Sequence, residues 1–184
     1  MPEEATAADR KCSLLEAARD NAAKQYDDLF RTFVALDSKA QSTATIAGVQ
    51  VAAVLAFLGK SSVDKLTTQY GSGIFVLAIG TPLLLVAVVG ACVWAMKVAV
   101  VPEPFGSPQE IEALKSLVAL PEGEFTAETQ LTHLSEHLDH WRECVEKMAA
   151  ATGEKGSHVR ACQYLMLAGL AASVSLFILL ILAL

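Results

Sequence analysis

Three stretches of this chain contain no Asp, Glu, Lys, Arg or His: Ala40–Gly59, Ile74–Met96 and Ala161–Leu184. No other feature limits the possible folds as strongly. Each runs about 20 residues or more, and a helix of that length extends about 30 Å, the thickness of a bilayer's hydrocarbon core. A chain of 184 residues is too short to wrap three such helices in protein. Only 18% of its residues are charged, against about a quarter in soluble domains, and the deficit lies in these stretches. The expected fold is all-α: an integral membrane protein with three transmembrane helices and a cytoplasmic helical cap. The expected order is a cytoplasmic amphipathic segment at 1–39, span one at 40–59, an external loop at 60–73, span two at 74–96, a cytoplasmic helical region at 97–160 and span three at 161–184.

Orientation follows from Lys and Arg near the span ends. Lys24, Arg31, Lys39, Lys97, Lys155 and Arg160 fall on one side, and only Lys60 and Lys65 on the other. The N-terminus and 97–160 are therefore expected in the cytoplasm and the C-terminus outside. The first dozen residues are charged and lack the apolar core of a signal peptide. Cys12 and Cys144 fall on the reducing side and Cys92 and Cys162 in or beside spans, which gives no disulfide framework.

Outside the spans the pattern is helical. Leu15, Ala18, Ala22, Tyr26, Leu29, Phe33 and Leu36 follow in steps of three and four, the mark of an amphipathic helix. No Pro or Gly divides it from span one, so one long helix over 13–59 is expected. Pro102–Pro108 is a breaker-rich linker. Ser107-Pro108-Gln109-Glu110 then reads as a capped helix start, with a stop at Pro121. A further helix from about Thr126 places Leu131, Leu134, Leu138, Trp141, Val145 and Met148 on a heptad seam. That seam can pack on the N-terminal helix of its own chain or between subunits.

Little in the chain points to catalysis, and we expect no enzyme, no cofactor and no metal. His133-Leu-Ser-Glu-His137 matches the inverted zinc-peptidase pattern H-x-x-E-H. Its third ligand would have to come from the roughly 45 residues that follow, which are mostly span. No Gly-rich phosphate loop or Cys-x-x-Cys is present. Acids outnumber bases in both 1–39 and 97–160, which disfavours duplex nucleic acid as a partner.

Within span one, Ala44, Gly48, Ala52 and Ala56 form a small-residue ladder that lets helix backbones approach closely. It packs either on the other spans or between chains. Gln50 lies near the middle of the span, with Thr43 seven residues earlier and Lys39 at the mouth. An amide in hydrocarbon needs a partner or water, so Gln50 either bonds a neighbouring helix or faces a pore lined with Thr43 and Lys39. Gly80-Thr81-Pro82 predicts a kink in span two.

Asp37-Ser38-Lys39-Ala40 at the mouth of span one resembles the D-x-K-A signature of the Pycsar-type transmembrane effector family, which is related to SLATT-domain proteins. The order that follows is similar too: a second span, a cytoplasmic helical hairpin, then Lys155, His158 and Arg160 leading into Ala161 and Tyr164 of a last span. The resemblance covers about residues 13–184. It implies a bacterial anti-phage effector of the inner membrane, a homo-oligomer, plausibly a tetramer, that opens a channel or disrupts the bilayer. Control would come from a nucleotide or oligonucleotide made by a partner nucleotidyltransferase or cyclase. No separate cyclic-nucleotide-binding domain is present, so the contacts for ligand or gating would come from Arg31, Lys39, His133, His137, Arg142, Lys155 and Arg160. The alternative is a non-conducting scaffold or sensor that recruits a soluble partner.

The orientation is testable in intact cells. An impermeant thiol reagent should label a cysteine placed at Ser62 and spare Cys144; labelling of Cys144 would reverse the assignment.

Overall fold

A computed structural model of the chain describes residues 7–60, 72–97, 101, 112, 115, 116, 118, 119, 121 and 126–182. Most of the expected external loop, the linker at 102–108 with its Ser107 cap, and residues 122–125 lie outside the described residues. Glu112, Lys115, Ser116 and Val118 are helical, and the Ala119 amide donates to the Lys115 carbonyl at 3.0 Å.

Three helices account for nearly all of the rest: α1 (Ala7–Lys60), α2 (Ser72–Lys97) and α3 (Ala127–Leu182). All three are long and apolar enough to cross a membrane. α1 continues through position 40, and α3 joins the helix expected near Thr126 to span three without a break at Gly153 or Gly156. Thr126 caps α3, its hydroxyl oxygen accepting from the Thr129 amide at 3.3 Å. Pro82 lies inside α2 and removes one helical hydrogen bond.

The chain divides into two compact units, 1–32 with 100–152, and 33–99 with 153–184. In the first, Tyr26 of α1 meets Trp141 of α3 edge-on, centroids 5.9 Å apart at 74°. Leu134, Cys144 and Met148 are buried in the same unit. Cys144 is thus shielded by packing, so an exposed position such as Ser135 is the better reporter of the side on which this unit lies.

The second unit is a three-helix bundle. Leu36 meets Gly156 and Phe57 meets Phe177, equal advances along both helices, so α1 and α3 run parallel. Leu85 meets Gly169, and Cys92 and Cys162, each one heptad away in the opposite chain sense, are buried in the same core, so α2 runs antiparallel to them. Buried positions keep a seven-residue spacing throughout: Phe33, Ala40, Ala47 and Val54 on α1; Ile74, Thr81, Val88 and Ala95 on α2; Lys155, Cys162, Gly169 and Leu176 on α3. That is the period of knobs-into-holes packing.

The glycines of this bundle are not equivalent. A β-carbon on Gly169 would lie 2.7 Å from Leu85 Cδ2 and 3.4 Å from its Cγ, whereas one on Gly48 would meet nothing within 4 Å. Leu85 is itself fully buried and has little room to swing. Gly169→Val should therefore destabilise the bundle by about 1–3 kcal/mol, the usual cost of overpacking. Unfolding in detergent would measure it; a variant as stable as the parent would mean that α2 and α3 do not meet here.

Candidate functional site

The most unusual group in the bundle is a lysine. The count of sevens that buries Met148 and Cys162 puts Lys155 between them, and its side chain is 1% exposed. A buried ammonium needs a counter-charge and hydrogen-bond acceptors. α1 supplies the charge through Asp37, whose carboxylate oxygen lies 2.6 Å from Lys155 Nζ. It also supplies an aromatic face, with Nζ 3.5 Å from the centroid of buried Phe33, a cation–π contact strengthened by the loss of water. Asp37 remains 38% exposed, so water reaches the carboxylate side of the pair. A β-carbon on Gly156 would lie 3.8 Å from Leu36 Cδ1, an ordinary van der Waals contact, so Leu36 lies over Gly156 beside the pair.

Just along the bundle the surface changes character. Lys39, Lys97 and Arg160 are exposed and, by the register above, lie within about a turn of one another. Trp94 and Tyr164 are exposed at the same end. A ring of bases with aromatics beside it suits a lipid headgroup layer. From there the three helices run uncharged for about 20 residues.

The residues singled out in span one separate onto different sides of α1. Thr43 is buried, and its hydroxyl donates to the Lys39 carbonyl at 2.8 Å. Gln50 is half-buried on the bundle side, and its carbonyl oxygen is buried with no hydrogen-bond partner among the described residues. Thr81 Oγ1 on α2 is in the same condition. Ala44 is half-buried, while Gly48, Ala52 and Ala56 face outward. At about 100° per residue, Gln50 and Ala52 stand on nearly opposite faces. Lys39, expected at a pore mouth with Thr43 and Gln50, is exposed, and by the same count it lies on their side of α1, within about 40° of both.

The residues assigned to a cytoplasmic ligand are divided between the two units, Arg31, His133, His137 and Arg142 in the first and Lys39, Lys155 and Arg160 in the second. Arg31 pairs with Asp27 and Arg142 with Glu146, each one turn along its own helix at 3.2 Å and exposed. Lys155 is committed to Asp37, and Arg160 lies with the exposed bases Lys39 and Lys97. His133 and His137 lie side by side with ring centroids 5.8 Å apart. Among the described residues no group of three or more His, Cys, Asp and Glu side chains could hold a metal. A shallow hollow of about 450 Å³ beside His133 is lined by Ser116, Thr129, Glu128 and Glu136 as well, an acidic edge unfavourable to phosphates. Further along α3, Lys147 lies 2.6 Å from Glu143. The hydrogen bond from Lys147, then its charge, lowers the Glu143 pKa, and the reciprocal contact raises that of Lys147.

No protein-family model, curated protein or solved structure matches the chain. Only its own residues and geometry bear on its role.

The ion pair makes an asymmetric prediction. Asp37→Ala leaves a buried ammonium without its counter-charge. The loss should be clear but below the roughly 3–5 kcal/mol of a wholly buried pair, because solvent reaches Asp37. Lys155→Met keeps a long stem against Phe33 and leaves Asp37 to water, so its stability should stay within about 1 kcal/mol of the parent. Equal losses in the two variants, measured by unfolding in detergent, would show that burial of the lysine is not what makes the pair matter.

Proposed function

We propose that this chain is a bacterial anti-phage effector that spans the inner membrane three times, self-associates through α1, and conducts ions or disrupts the bilayer under a nucleotide signal, arresting growth. The N-terminus and 97–160 lie in the cytoplasm in this reading, and the C-terminus lies outside.

The observation that carries it is the contrast between outward faces. α2 exposes Phe75, Val76, Ile79, Leu83, Val86 and Val93, and α3 exposes Leu165, Leu167, Val174, Ile178 and Ile181. Those are lipid-facing surfaces. The outward face of α1 carries Ser38, Gln41, Thr45, Gly48, Ala52 and Ala56, with Val49 as the large apolar side chain among them. Small residues gain little from lipid and much from another helix at close range. The Thr45 hydroxyl is returned to the Gln41 carbonyl at 2.9 Å, which leaves the Gln41 amide, with the Ser38 hydroxyl a turn earlier, as the polar groups on that face near the ring of bases. A symmetric assembly built on α1 would gather these faces about its axis, with Gln41 and Thr45 lining the conduit and Gly48, Ala52 and Ala56 at the helix contacts. Gln50 and Thr43, on the bundle side, would lie behind that lining. The bases available to a nucleotide are divided between the two units, and the hollow beside His133 is acidic.

Two variants separate the possibilities in planar-bilayer current and growth-arrest measurements. Ala52→Phe places a ring on the outward face and should abolish current and toxicity while the monomer still folds. Gln50→Leu removes an unpartnered buried oxygen, which costs about 1–3 kcal/mol when left unsatisfied, and should conduct as the parent does. Loss of current in Gln50→Leu alone would return the lining to Gln50. A parent with no current and no effect on growth would favour the non-conducting scaffold.

A further inference from the structure

α2 and α3 each carry a cysteine followed four residues later by a methionine: Cys92-Val-Trp-Ala-Met96 and Cys162-Gln-Tyr-Leu-Met166. The helices run antiparallel and bring the two cysteines together. Both are free thiols, buried to within 2% of completely in one core cluster, and each lies one heptad from the Leu85–Gly169 contact, which sets them opposite each other across the helix interface. Residues four apart share a helix face. Met166 is buried in the same core, and Met96 packs against it. Long helical side chains lean back towards their own N-terminus, so each thioether leans along its helix towards the thiol pair.

We propose that Cys92 and Cys162, with Met96 and Met166 beside them, form a binding site for a soft monovalent d10 cation of the Cu(I) or Ag(I) class. Thiolate and thioether sulfur select such ions over hard cations. Two thiols supply a two-coordinate ion without the three-residue cluster that zinc requires. The surroundings also fix the charge. A bare thiolate pair around a monovalent ion would leave one negative charge in an apolar core. One thiolate with a thiol and thioethers leaves none, which is the form low-dielectric surroundings favour. Binding one cation therefore releases one thiol proton to solvent and involves no change of oxidation state. The site lies about two helical turns from Lys155 along α3 and one turn inside the ring of bases, close enough to the bundle's end for an ion to arrive from water. The site stands independently of the effector reading.

The full-length chain in detergent, titrated with Ag(I) while the pH is recorded, tests the proposal. The parent should take up a tightly held Ag(I) and release about one proton with it. Cys92→Ala and Cys162→Ala should each weaken that uptake by more than about 100-fold, since even an outer-shell partner is worth about 10–100-fold. A combined Met96→Leu and Met166→Leu variant, which keeps the packing volume, should weaken it to a smaller degree. Cys144, whose sulfur lies 3.6 Å from His140 Nε2, offers the competing soft site, and Cys12→Ala and Cys144→Ala should bind as the parent does. Tight uptake that survives loss of both Cys92 and Cys162, or disappears with Cys144, overturns the assignment. So does recovery of the parent, without reductant, as a Cys92–Cys162 disulfide, which would make the pair a redox couple instead. Helicity and an unchanged elution volume show that each variant is folded.

Discussion

The seven-residue spacing of buried positions governs this structure, and the Lys155–Asp37 contact gives it a unique register. In hydrocarbon, apolar seams attract one another no more than they attract lipid. Seams built from Ala, Val and Leu can slide past one another by a heptad at little cost. Two steric fits oppose that: Gly169 accepts Leu85, and Phe57 meets Phe177 edge-on, centroids 5.0 Å apart. The ion pair opposes it more strongly. A slip of one heptad between α1 and α3 would set the Lys155 ammonium against Phe30 or Ala44 in place of Asp37 and leave it buried without its counter-charge. A lone polar residue in a heptad seam specifies register in soluble coiled coils, and here the polar residue carries a full charge.

Once the seams are fixed, the remaining faces divide by chemistry. α2, and α3 from Tyr164 onward, present large branched and aromatic side chains outward, where lipid is an adequate solvent. α1 presents Gly, Ala, Ser and Thr. Its large residues are directed inward, as with Phe33, Val54 and Phe57, or to the flanks, as with Ile46 and Leu55, while Val49 stands outward among the small ones. One helix therefore contributes to two interfaces of different kinds. The inner one is set by volume, and the outer one is open to close backbone approach.

The spans were legible because a run of about 20 residues without a charge suits a helix in hydrocarbon and little else in a chain this short. The seam over 131–148 was legible because its steps of three and four match a single helical face. What the sequence hid was its continuation: counting seven from Met148 reaches Lys155, but a lysine beside a span reads first as a flanking positive charge. The same count on α1 runs from Tyr26 through Phe33 to Ala40 and was the available signal that residues beside Asp37 face a partner. Whether the Ala44–Ala56 ladder turned inward or outward was not legible, because small residues suit both. Cys92 and Cys162 could not be paired from sequence, since 70 residues and a direction change separate them; only the antiparallel register of α2 and α3 brings them together.

The continuity of α1 ties its polar groups to one another. Asp37 and Gln50 lie on one unbroken helix, Asp37 against Lys155 and Gln50 with its carbonyl oxygen turned into the bundle. Turning α1 far enough to bring Gln50 to the outward face would carry Phe33 and Asp37 away from Lys155. The ammonium would then be left in a site built to exclude water. A conduit lined by Gln50 and an intact Lys155–Asp37 pair are therefore alternatives, whereas one lined by Gln41 and Thr45 leaves the pair as it stands. Of the two arrangements, only the second requires no charge to be stranded, and it uses the face of α1 that its own chain leaves uncovered.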